Sequence, residues 1–494
     1  MRVTPDDLAL LVARCLQTSV ESLGGDLAAV PAAVTVERPR NPEHGDYATN
    51  AAMQTGKRAG LSPRDLATAL AECLRSEPGV ADVSVAGPGF VNVTLEAAAA
   101  GALAATIVDA AEAYGRSDAL AGRRIDVEFI SANPTGPLHL GHTRWAALGD
   151  ALARVLAAAG AQVTSEFYVN DRGAQLDRFG ESLMAVAHGQ PVPPDGYHGR
   201  YVHDLSAQIV ADRPDIVDLP DDQQVSAFRE EGYHRQLAEQ QAQLAEFRTV
   251  FDVWTSEREL HASGKVAHGI DVLAQQGHLF EADGALFMRT SDFGDDKDRV
   301  LVKQDGEYTY FASDTAYYID KRERGFDVCL YLLGADHHGY VGRLRAIAAC
   351  AGDDPDQTLD VLIGQMVTIM RGGEEMRLSK RAGTIVTLHD LVEIAGVDAV
   401  RYSLCRYPAD SPMTLDLDLV TRASADNPVF YDQYAHARLS SILRNAADLG
   451  VERGELDPSQ LDHPREAALL GALGEFPRVV ASAAELREPH RVAR

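Results

Sequence analysis

The sequence has few cysteines and no long hydrophobic run, and both absences restrict the class of protein that it encodes. Its 494 residues include only five cysteines, and no two of them form a Cys-x-x-Cys pair. The sequence therefore predicts neither a disulfide framework nor a cysteine-based zinc site, and it favours a reducing cytoplasm. No apolar run approaches the roughly 20 residues that cross a bilayer, so we expect no membrane partner. Residues 1–7 carry no signal-peptide pattern, which agrees with a cytoplasmic location.

Positive charge is also scarce. The chain has 46 Lys and Arg residues against 73 Asp and Glu residues, which gives a formal net charge of −27. This excess of negative charge favours solubility and argues against a surface that coats nucleic acid broadly, although it leaves room for a local basic patch. The length and the 46% hydrophobic content are typical of a globular chain with two to four domains.

The clearest motif joins a predicted strand to a predicted helix. Apolar and charged residues alternate over 124–130, a Gly- and Pro-rich turn covers 131–142, and apolar residues recur at helical spacing over 145–159. The turn ends in His139-x-Gly141-His142, whose two histidines would share one face of the helix start. Because unpaired N–H groups at a helix start favour anions, the motif predicts a phosphate site for a nucleotide. A surface turn or a buried histidine pair explains the motif alone equally well.

A second motif is a basic loop that follows the apolar run 361–370. Within residues 371–381 there are four basic and two acidic side chains, so this loop is positive in a strongly negative chain. Positive charge after a strand is suited to stabilise the charge that develops on a phosphate leaving group. Taken alone, the loop is better interpreted as a solvated surface segment.

The chain is organised in three parts. Residues 1–112 are typical of a small α/β unit, residues 120–390 alternate strands and helices, and residues 391–494 are mostly helical. The alternation predicts a Rossmann-type doubly wound parallel sheet. Its strand candidates are residues 125–130, 163–169, 328–333 and 362–370. A stretch rich in Pro, Asp and Gln, from about 190 to 260, is interpreted as an insertion into this middle part.

Together, the two motifs resemble the signatures of class I aminoacyl-tRNA synthetases. Lys380 keeps the second lysine of the Lys-Met-Ser-Lys-Ser signature, whereas Arg377 and Arg381 depart from it. Other segments resemble the arginyl-tRNA synthetases in particular, and they are residues 87–92, 128–137, 251–257, 334–339 and 426–438. The resemblance covers nearly the whole chain. That family usually continues through further helices after the position of Arg494, so a C-terminally shortened member is expected.

The resemblance implies an enzyme that ligates L-arginine to its tRNA in two steps. Arginyl-adenylate forms from arginine and ATP, and the arginyl group then passes to the terminal adenosine of the tRNA. It implies Mg²⁺ that arrives with ATP, and bound tRNA as a requirement for activation. No set of side chains has the spacing of a metal site, so we expect no structural metal, and we expect a monomer. Residues 1–112 would be an additional tRNA-binding domain, residues 120–390 the catalytic domain, and residues 391–494 a helical, incomplete anticodon-binding domain.

The resemblance also assigns the site residues. The catalytic residues would be His139, His142 and Lys380. The ATP-binding residues would be Pro137, His139, Gly141, His142, Gly334, Asp336, His338 and Lys380. The tRNA-binding residues would be Tyr434, Arg438 and Arg444.

Arginine itself would be held by Glu128, Ser131, Asn133, Tyr310 and Asp314. A guanidinium is planar and always charged, and carboxylate and amide oxygens hold it best. Asp314 is alternatively interpreted as a helix N-cap, and Tyr310 as a half-buried strand residue.

Two other classes of protein remain open from the residues. One is a small-molecule nucleotidyltransferase of the same fold, which would need neither the N-terminal unit nor the helical C-terminal part. The other is a non-catalytic RNA-binding paralogue, which would not need intact His139, His142 and Lys380.

Overall fold

The computed structural model describes residues 4–376, 386–452, 454–461 and 463–493. The chain divides into two compact units. The first unit comprises Met1–Arg116 and Arg444–Val480, and the second comprises Ser117–Leu443 and Ala481–Arg494. The division into three domains stays a prediction.

The N-terminal part of the first unit packs helices on a small antiparallel sheet. Its first helix begins after Thr4, whose hydroxyl accepts the Asp7 N–H at 3.1 Å while the Asp7 carboxylate accepts the Thr4 N–H, so both ends of a capping box are present. The elements are α1 (Pro5–Ser22), β1 (Tyr47–Thr49), α2 (Ala51–Gly56), α3 (Pro63–Arg75), β2 (Val80–Ala86), β3 (Phe90–Leu95) and α4 (Ala97–Ala110). The strands lie in the order β1-β3-β2.

A disulfide joins helices α1 and α3, and here the sequence prediction is wrong. Cys15 and Cys73 are 58 residues apart in sequence, but their Cα atoms lie 5.7 Å apart because the two helices pack side by side. Spacing along the chain gives no sign of this pairing. With Glu77, these cysteines are also the one group of possible metal-ligand atoms that lie close together among the described residues.

The second unit is built on a five-stranded parallel sheet, which confirms the predicted fold class. Its strands are β4 (Arg124–Glu128), β5 (Gln162–Val169), β6 (Val253–Ser256), β10 (Val328–Gly334) and β11 (Leu359–Gly364). They lie in the order β11-β10-β4-β5-β6. Apolar side chains of the central strands, such as Ile125, Val127 and Leu330, are buried in the core beneath the helices.

The structure also contains two smaller sheets. One of them includes part of a segment that was predicted to be a single strand of the parallel sheet. The run 362–370 is divided between the end of β11 and β12 (Val367–Arg371), which pairs with other strands. One small sheet contains β12, β13 (Glu374–Glu375) and β14 (Met413–Asp416), and the other contains β7 (Leu279–Ala282), β8 (Ala285–Met288) and β9 (Arg299–Val302). Gly372 and Gly373 have φ angles of 63° and 78°, which form the tight turn between β12 and β13.

Helices surround these sheets. Three of the helices cover most of the predicted insertion and the residues just before it in the chain. Those three are α6 (Ala174–Ala187), α7 (Arg200–Asp212) and α8 (Asp221–Glu246). The remaining helices that pack around the sheets are α5 (Leu140–Ala158), α9 (Glu257–Ala262), α10 (Lys265–Gln276), α11 (Tyr310–Glu323), α12 (Val341–Cys350), α13 (Pro355–Thr358), α14 (Leu388–Ala395), α15 (Val397–Cys405) and α16 (Leu417–Val420). Two longer helices follow, α17 (Pro428–Asp448) and α18 (Pro464–Glu485).

Helix α18 has the length and composition that could cross a membrane, the one such helix among the described residues. The part of it in the first unit is engaged by protein contacts. Arg478 Nη1 donates to the Val36 carbonyl at 2.7 Å, and Tyr114 Oη donates to the Leu473 carbonyl at 2.7 Å. Since helices of protein cores also meet such a criterion, the absence of a membrane partner stays a prediction.

Candidate active site

The candidate site lies at the point where the order of the strands in the parallel sheet reverses. Strand β4 is the first of the sheet in chain order, and the later strands lie on both sides of it. In such sheets the crevice beyond the carboxyl ends of the strands at the switch point is the usual ligand site. Glu128 ends β4 and is paired in register with Tyr331 of β10, whose last residue is Gly334. Both strands therefore deliver their following loops to one crevice.

The loop after β4 has an unusual backbone. The strand ends at Glu128, earlier than predicted, and Ile130 and Ser131 have φ angles of 73° and 45°. Consecutive non-glycine residues in the left-handed region are rare, above all with a β-branched side chain. The turn folds Ser131 back, so that its hydroxyl donates to Glu128 Oε1 at 2.9 Å and accepts the Tyr168 N–H at 3.2 Å. Backbone strain is thus coupled to the orientation of a predicted arginine ligand.

The two histidines of the first motif form the start of helix α5. His139 is the N-cap, and its Nδ1 accepts the Gly141 N–H at 3.2 Å. The Nδ1 atom of His142 accepts the His139 N–H at 3.3 Å, and the two imidazole rings stack with centroids 3.7 Å apart. A Cβ on Gly141 would lie 3.2 Å from His139 Cε1, so glycine permits this approach. Two imidazoles at the positive end of a helix dipole form an environment that favours phosphate.

The chain that leaves the second motif returns to the first one. The Leu140 N–H donates to the Val386 carbonyl at 3.2 Å, and the Leu388 N–H donates to the Leu138 carbonyl at 2.8 Å. Lys380 itself lies in residues 377–385, outside the described part of the chain. The segment immediately after those residues is therefore hydrogen-bonded on both sides of His139.

Asp314 lies on helix α11 and interacts electrostatically with Glu128 of the crevice. The Tyr340 hydroxyl donates to the Oδ2 atom of Asp314. Burial raises the pKa of Asp314 to about 6, with a further contribution from the charge of Glu128 and an opposing one from Tyr340. The charge interaction shows that the fold brings Glu128 and Asp314 together, although they come from a strand and a helix that are far apart in sequence.

The alternative interpretations of Asp314 and Tyr310 are wrong. Thr309 is the N-cap of α11, because its hydroxyl accepts the Ala312 N–H at 3.3 Å. Asp314 lies inside the helix, and Tyr310 is its first residue with 66% of its surface exposed. The pattern of residues 308–314 did not distinguish a strand from a helix start, since Thr and Tyr occur in both.

Asn133 and Tyr310 converge on the beginning of helix α6. Asn133 Nδ2 donates to Gln175 Oε1 at 2.5 Å. The hydroxyl of Tyr310 lies over Gly173, only 2.6 Å from where a Cβ would stand, and Gly173 has a φ of 93°. The positive φ favours glycine at this position, and the absence of a Cβ also makes room for the Tyr310 hydroxyl. Two predicted arginine ligands therefore contact residues for which the sequence gives no signal.

Two side chains of the predicted insertion hold the signature loop. Gln240 Nε2 donates to the carbonyls of Asn133 at 3.1 Å and Gly136 at 2.8 Å, and Tyr201 Oη donates to the Thr135 carbonyl at 3.0 Å. Buried carbonyls need such donors. These residues come from α8 and α7, and nothing in the sequence signals their role.

A further buried carboxyl was also missed. Glu257, the first residue of α9, is 2% exposed. Burial raises its pKa to about 7, and Asp314 and Asp171 add to that effect while Arg172 opposes it. A second buried carboxyl therefore interacts with Asp314 of the predicted arginine set.

The other predicted residues are placed on the elements that their segments form. Pro137 lies half-buried in the loop before His139, and Gly334 ends β10. Asp336 and His338 lie in the short 3-10 helix Ala335–Tyr340 directly after β10. The predicted tRNA-binding residues share helix α17 and are Tyr434, Arg438 and Arg444. Arg438 Nη1 donates to Tyr434 Oη at 3.1 Å, one helical turn away.

Three family models match this chain. The arginyl tRNA synthetase N terminal domain matches residues 10–95, the tRNA synthetases class I (R) catalytic domain matches residues 106–190 and 220–405, and the DALR anticodon binding domain matches residues 433–494. The residues without a match in the catalytic part, 191–219, fall within the predicted insertion.

Relatives and solved structures agree with the family models. The chain is 53% identical over 496 residues to the arginine–tRNA ligase of Paenarthrobacter aurescens, and it is 55% identical over 495 residues to that of Frankia alni. Each match covers 100% of this chain and 89% of the relative. The Thermus thermophilus arginyl-tRNA synthetase shares its fold, with a TM-score of 0.72, 24% identity, and coverage of 98% of this chain and 89% of that one.

Proposed function

Because this chain belongs to the arginyl-tRNA synthetase family and ligates arginine to its tRNA, we propose that the crevice at the carboxyl ends of β4 and β10 is where arginine is activated. The observation that carries the proposal is the stacked pair His139 and His142 at a helix start, one loop away from Glu128. A phosphate site and a carboxylate-lined site are thereby adjacent on one strand–loop–helix connection.

The helix-start half of the crevice binds ATP in this proposal. His139 and His142 contact the phosphates and stabilise the charge that develops in the transition state, and Lys380 contacts the departing pyrophosphate. Support comes from the hydrogen-bonded return of Val386 to Leu140, which anchors one end of the Lys380 segment beside the histidines. The remaining ATP-binding residues in the proposal are Pro137, Gly141, Gly334, Asp336 and His338.

The carboxylate half binds arginine. Glu128 and Asp314 receive the guanidinium, with Ser131, Asn133 and Tyr310 completing the pocket. The substrate carboxylate then attacks the α-phosphorus of ATP, the bond to the β-phosphate oxygen breaks, and pyrophosphate leaves with the bonding electron pair. The arginyl group of the adenylate passes to a hydroxyl of the terminal adenosine of the tRNA, and AMP is released. Catalysis rests on positioning and charge stabilisation.

Mg²⁺ enters the proposal as a companion of ATP. The carboxylates of Glu128 and Asp314 are already engaged by Lys321 and Tyr340, which fits a guanidinium partner better than an octahedral shell of oxygens around a metal. Mg²⁺ usually keeps several waters and binds through substrate phosphates. We therefore assign no protein residue to it and route no step through it.

The remaining parts of the proposal concern partners and place. Residues of the N-terminal unit and of α17, including Tyr434, Arg438 and Arg444, contact the tRNA. Tyr434 is exposed, so a splayed base of the tRNA can stack on its ring. Stacking is useful here because the chain has a formal net charge of −27 and few basic side chains to bind phosphates. The enzyme acts as a monomer in the cytoplasm.

ATP–pyrophosphate exchange with arginine, with and without tRNA for arginine, tests the proposal. We expect exchange that requires both arginine and tRNA, and its loss in His142→Ala. His203→Ala is the matched control, because His203 is an exposed histidine on α7. Full exchange in His142→Ala would refute the phosphate assignment. Exchange that needs no tRNA would contradict the requirement that the family resemblance implies.

A further inference from the structure

Lys321 is a fully buried lysine behind the arginine half of the crevice. Its side chain on helix α11 is 0% exposed, and its Nζ atom lies 2.5 Å from Asp126 Oδ2 and 2.7 Å from Glu128 Oε2. A buried ammonium is strongly unfavourable without partners, and Lys is almost never fully buried unless paired. The family resemblance assigned no role to this residue, and the arginine set contains only one of its two partners.

The surroundings of Lys321 leave its ammonium little freedom. The Nζ atom lies 4.4 Å from the ring centroid of Tyr317 and 4.3 Å from that of Tyr331. Both rings attract a cation through their faces. With two carboxylates and two aromatic faces around it, the ammonium is held at one position. A charge held at one position also orients the carboxylates that bind it.

The two carboxylates differ in what else they contact. Asp126 lies deeper, has no exposed side-chain surface, and is hydrogen-bonded to Glu166. Burial and the neighbouring Glu166 raise the pKa of Asp126, while Lys321 opposes that effect. Burial would also raise the pKa of Glu166, but Lys321, Asp126 and Arg324 hold it below its usual value. Asp126 therefore interacts with Glu166 as well as with Lys321, and Lys321 connects this buried pair to Glu128.

Glu128 is the member of this cluster that reaches the crevice. Its side chain keeps 10% of its surface exposed, whereas Lys321 and Asp126 keep none. Its Oε2 atom is bound to Lys321, and its Oε1 atom accepts the hydroxyl of Ser131. Each carboxylate oxygen has two acceptor sites, so both oxygens can still accept from a ligand. The carboxylate is held at both oxygens before any substrate arrives.

We propose that Lys321 is a positioning residue for arginine recognition, which fixes the Glu128 carboxylate from behind so that its free acceptor sites face the substrate guanidinium. The inference rests on the proposed role of Glu128 in binding arginine. Bidentate recognition of a planar cation depends on the orientation of the carboxylate plane, so a loosened Glu128 binds arginine less tightly even though its charge remains.

The test compares KM values for arginine and ATP in the full-length enzyme with tRNA present. Lys321→Met alone leaves buried carboxylates uncompensated, so the decisive variant is Lys321→Met/Asp126→Asn, which removes one charged partner together with the lysine. We expect the KM for arginine to rise roughly 10- to 100-fold, the scale of a misplaced binding group, with the KM for ATP within about twofold. Thermal unfolding verifies that the double variant is folded.

Two further variants supply controls. Arg324→Met removes a cation that is bound to Glu166, at the far side of the same cluster, and should leave the KM for arginine within about twofold. Asp126→Asn alone keeps Lys321 on Glu128 and changes no side-chain volume, so it should also leave that KM unchanged. If the double variant does not fold, this single variant decides, because a raised KM for arginine there would overturn the proposal.

The remaining outcomes separate the inference from the proposed function. A folded double variant with unchanged KM values, or with equal increases for arginine and ATP, would overturn the positioning role. Glu128→Gln tests the proposed function itself. If Glu128→Gln leaves the KM for arginine unchanged, the arginine assignment of Glu128 fails. If it raises that KM while the double variant does not, only the role of Lys321 fails.

Discussion

The two halves of the crevice differ in how far along the chain their parts lie from one another. In the helix-start half, His139, Gly141 and His142 hydrogen-bond one another within a single turn. In the arginine half, Glu128 is bound by Lys321, which lies 193 residues later. The first half is a local structure that a short motif can encode. The second half exists only when β4, α11 and the neighbouring strands are assembled, so its geometry depends on the whole sheet.

The largest expected effect is on kcat in variants of His139. This residue is the N-cap of α5 and, in the proposal, also a phosphate ligand. Asn is a good N-cap, so His139→Asn keeps the hydrogen bond at the start of α5 and removes the imidazole, whereas His139→Ala removes both. We expect kcat to fall by roughly 10²- to 10³-fold in both variants, the scale for one preorganised stabiliser. Only His139→Ala should also lose about 1 kcal/mol of unfolding free energy.

Steady-state kinetics and urea unfolding of the two His139 variants measure these effects. The KM for arginine should stay near the wild-type value in both. If His139→Asn keeps full kcat, the histidine serves as a cap alone, and the local half has no chemical role at this position.

The next effect concerns the assembled half. Asp314→Asn keeps the size of the side chain but removes a charge that faces the guanidinium, so the kcat/KM for arginine should fall about 10²-fold, consistent with the loss of a buried charge partner. The KM for ATP should change less than about threefold. Glu323→Gln, an exposed acidic residue on the same helix, is the matched control. Equal changes for both substrates would assign Asp314 a structural role.

A smaller effect is expected where the insertion contacts the signature loop. Gln240→Ala leaves the half-buried carbonyls of Asn133 and Gly136 without this donor, which costs about 1 kcal/mol of stability. We expect the kcat/KM for both substrates to fall about tenfold, since the loop connects the two halves. Gln241→Ala, at an exposed position on the same helix, controls for the substitution. Normal kinetics in Gln240→Ala would mean that α8 does not hold the loop in a reactive geometry.

The smallest effect is a pH dependence of arginine binding. With a pKa of about 6, Asp314 is charged above that pH and becomes neutral as the pH falls through it, while the guanidinium stays charged throughout. The KM for arginine should therefore rise about fourfold between pH 7.5 and pH 5.5. Glu128, Tyr340 and Arg343 also interact with Asp314, and Glu257 has a raised pKa beside it. A profile in Asp314→Asn that still rises by the same factor would assign the titration to Glu257.

What the sequence can predict depends on whether a feature is local in the chain or assembled from distant segments. The parallel sheet and the helix after His142 were predictable, because period-2 and period-3.6 patterns are local properties of the chain. The errors occurred where local patterns are ambiguous. The run 362–370 contains the end of β11 and most of β12, and the disulfide between Cys15 and Cys73 depends on helix packing.

The site residues divide in a similar way. The spacing of His139 and His142 predicts that they share one face of the helix start, which agrees with their stacking. The residues that hold the signature loop, in contrast, have no signal in the sequence. Tyr201 donates a hydrogen bond to a carbonyl 66 residues earlier in the chain, and Gln240 donates to one 104 residues earlier. Lys321 binds a carboxylate 193 residues earlier. A buried lysine in a helix gives no signal of its partner, because Lys is common on exposed helix faces.

The left-handed backbone at Ile130 and Ser131 has a consequence for attempts to engineer this enzyme. Glycine adopts such angles without strain and would relieve a cost on the order of 1–3 kcal/mol, but it would also remove the Ile130 side chain that packs against the hydrophobic core. Glycine would also widen the range of turns that the loop samples, and so loosen the hydrogen bond from Ser131 to Glu128. A strained backbone and a packed apolar side chain are thus combined at a single residue, and thermostable variants are best sought elsewhere in the chain.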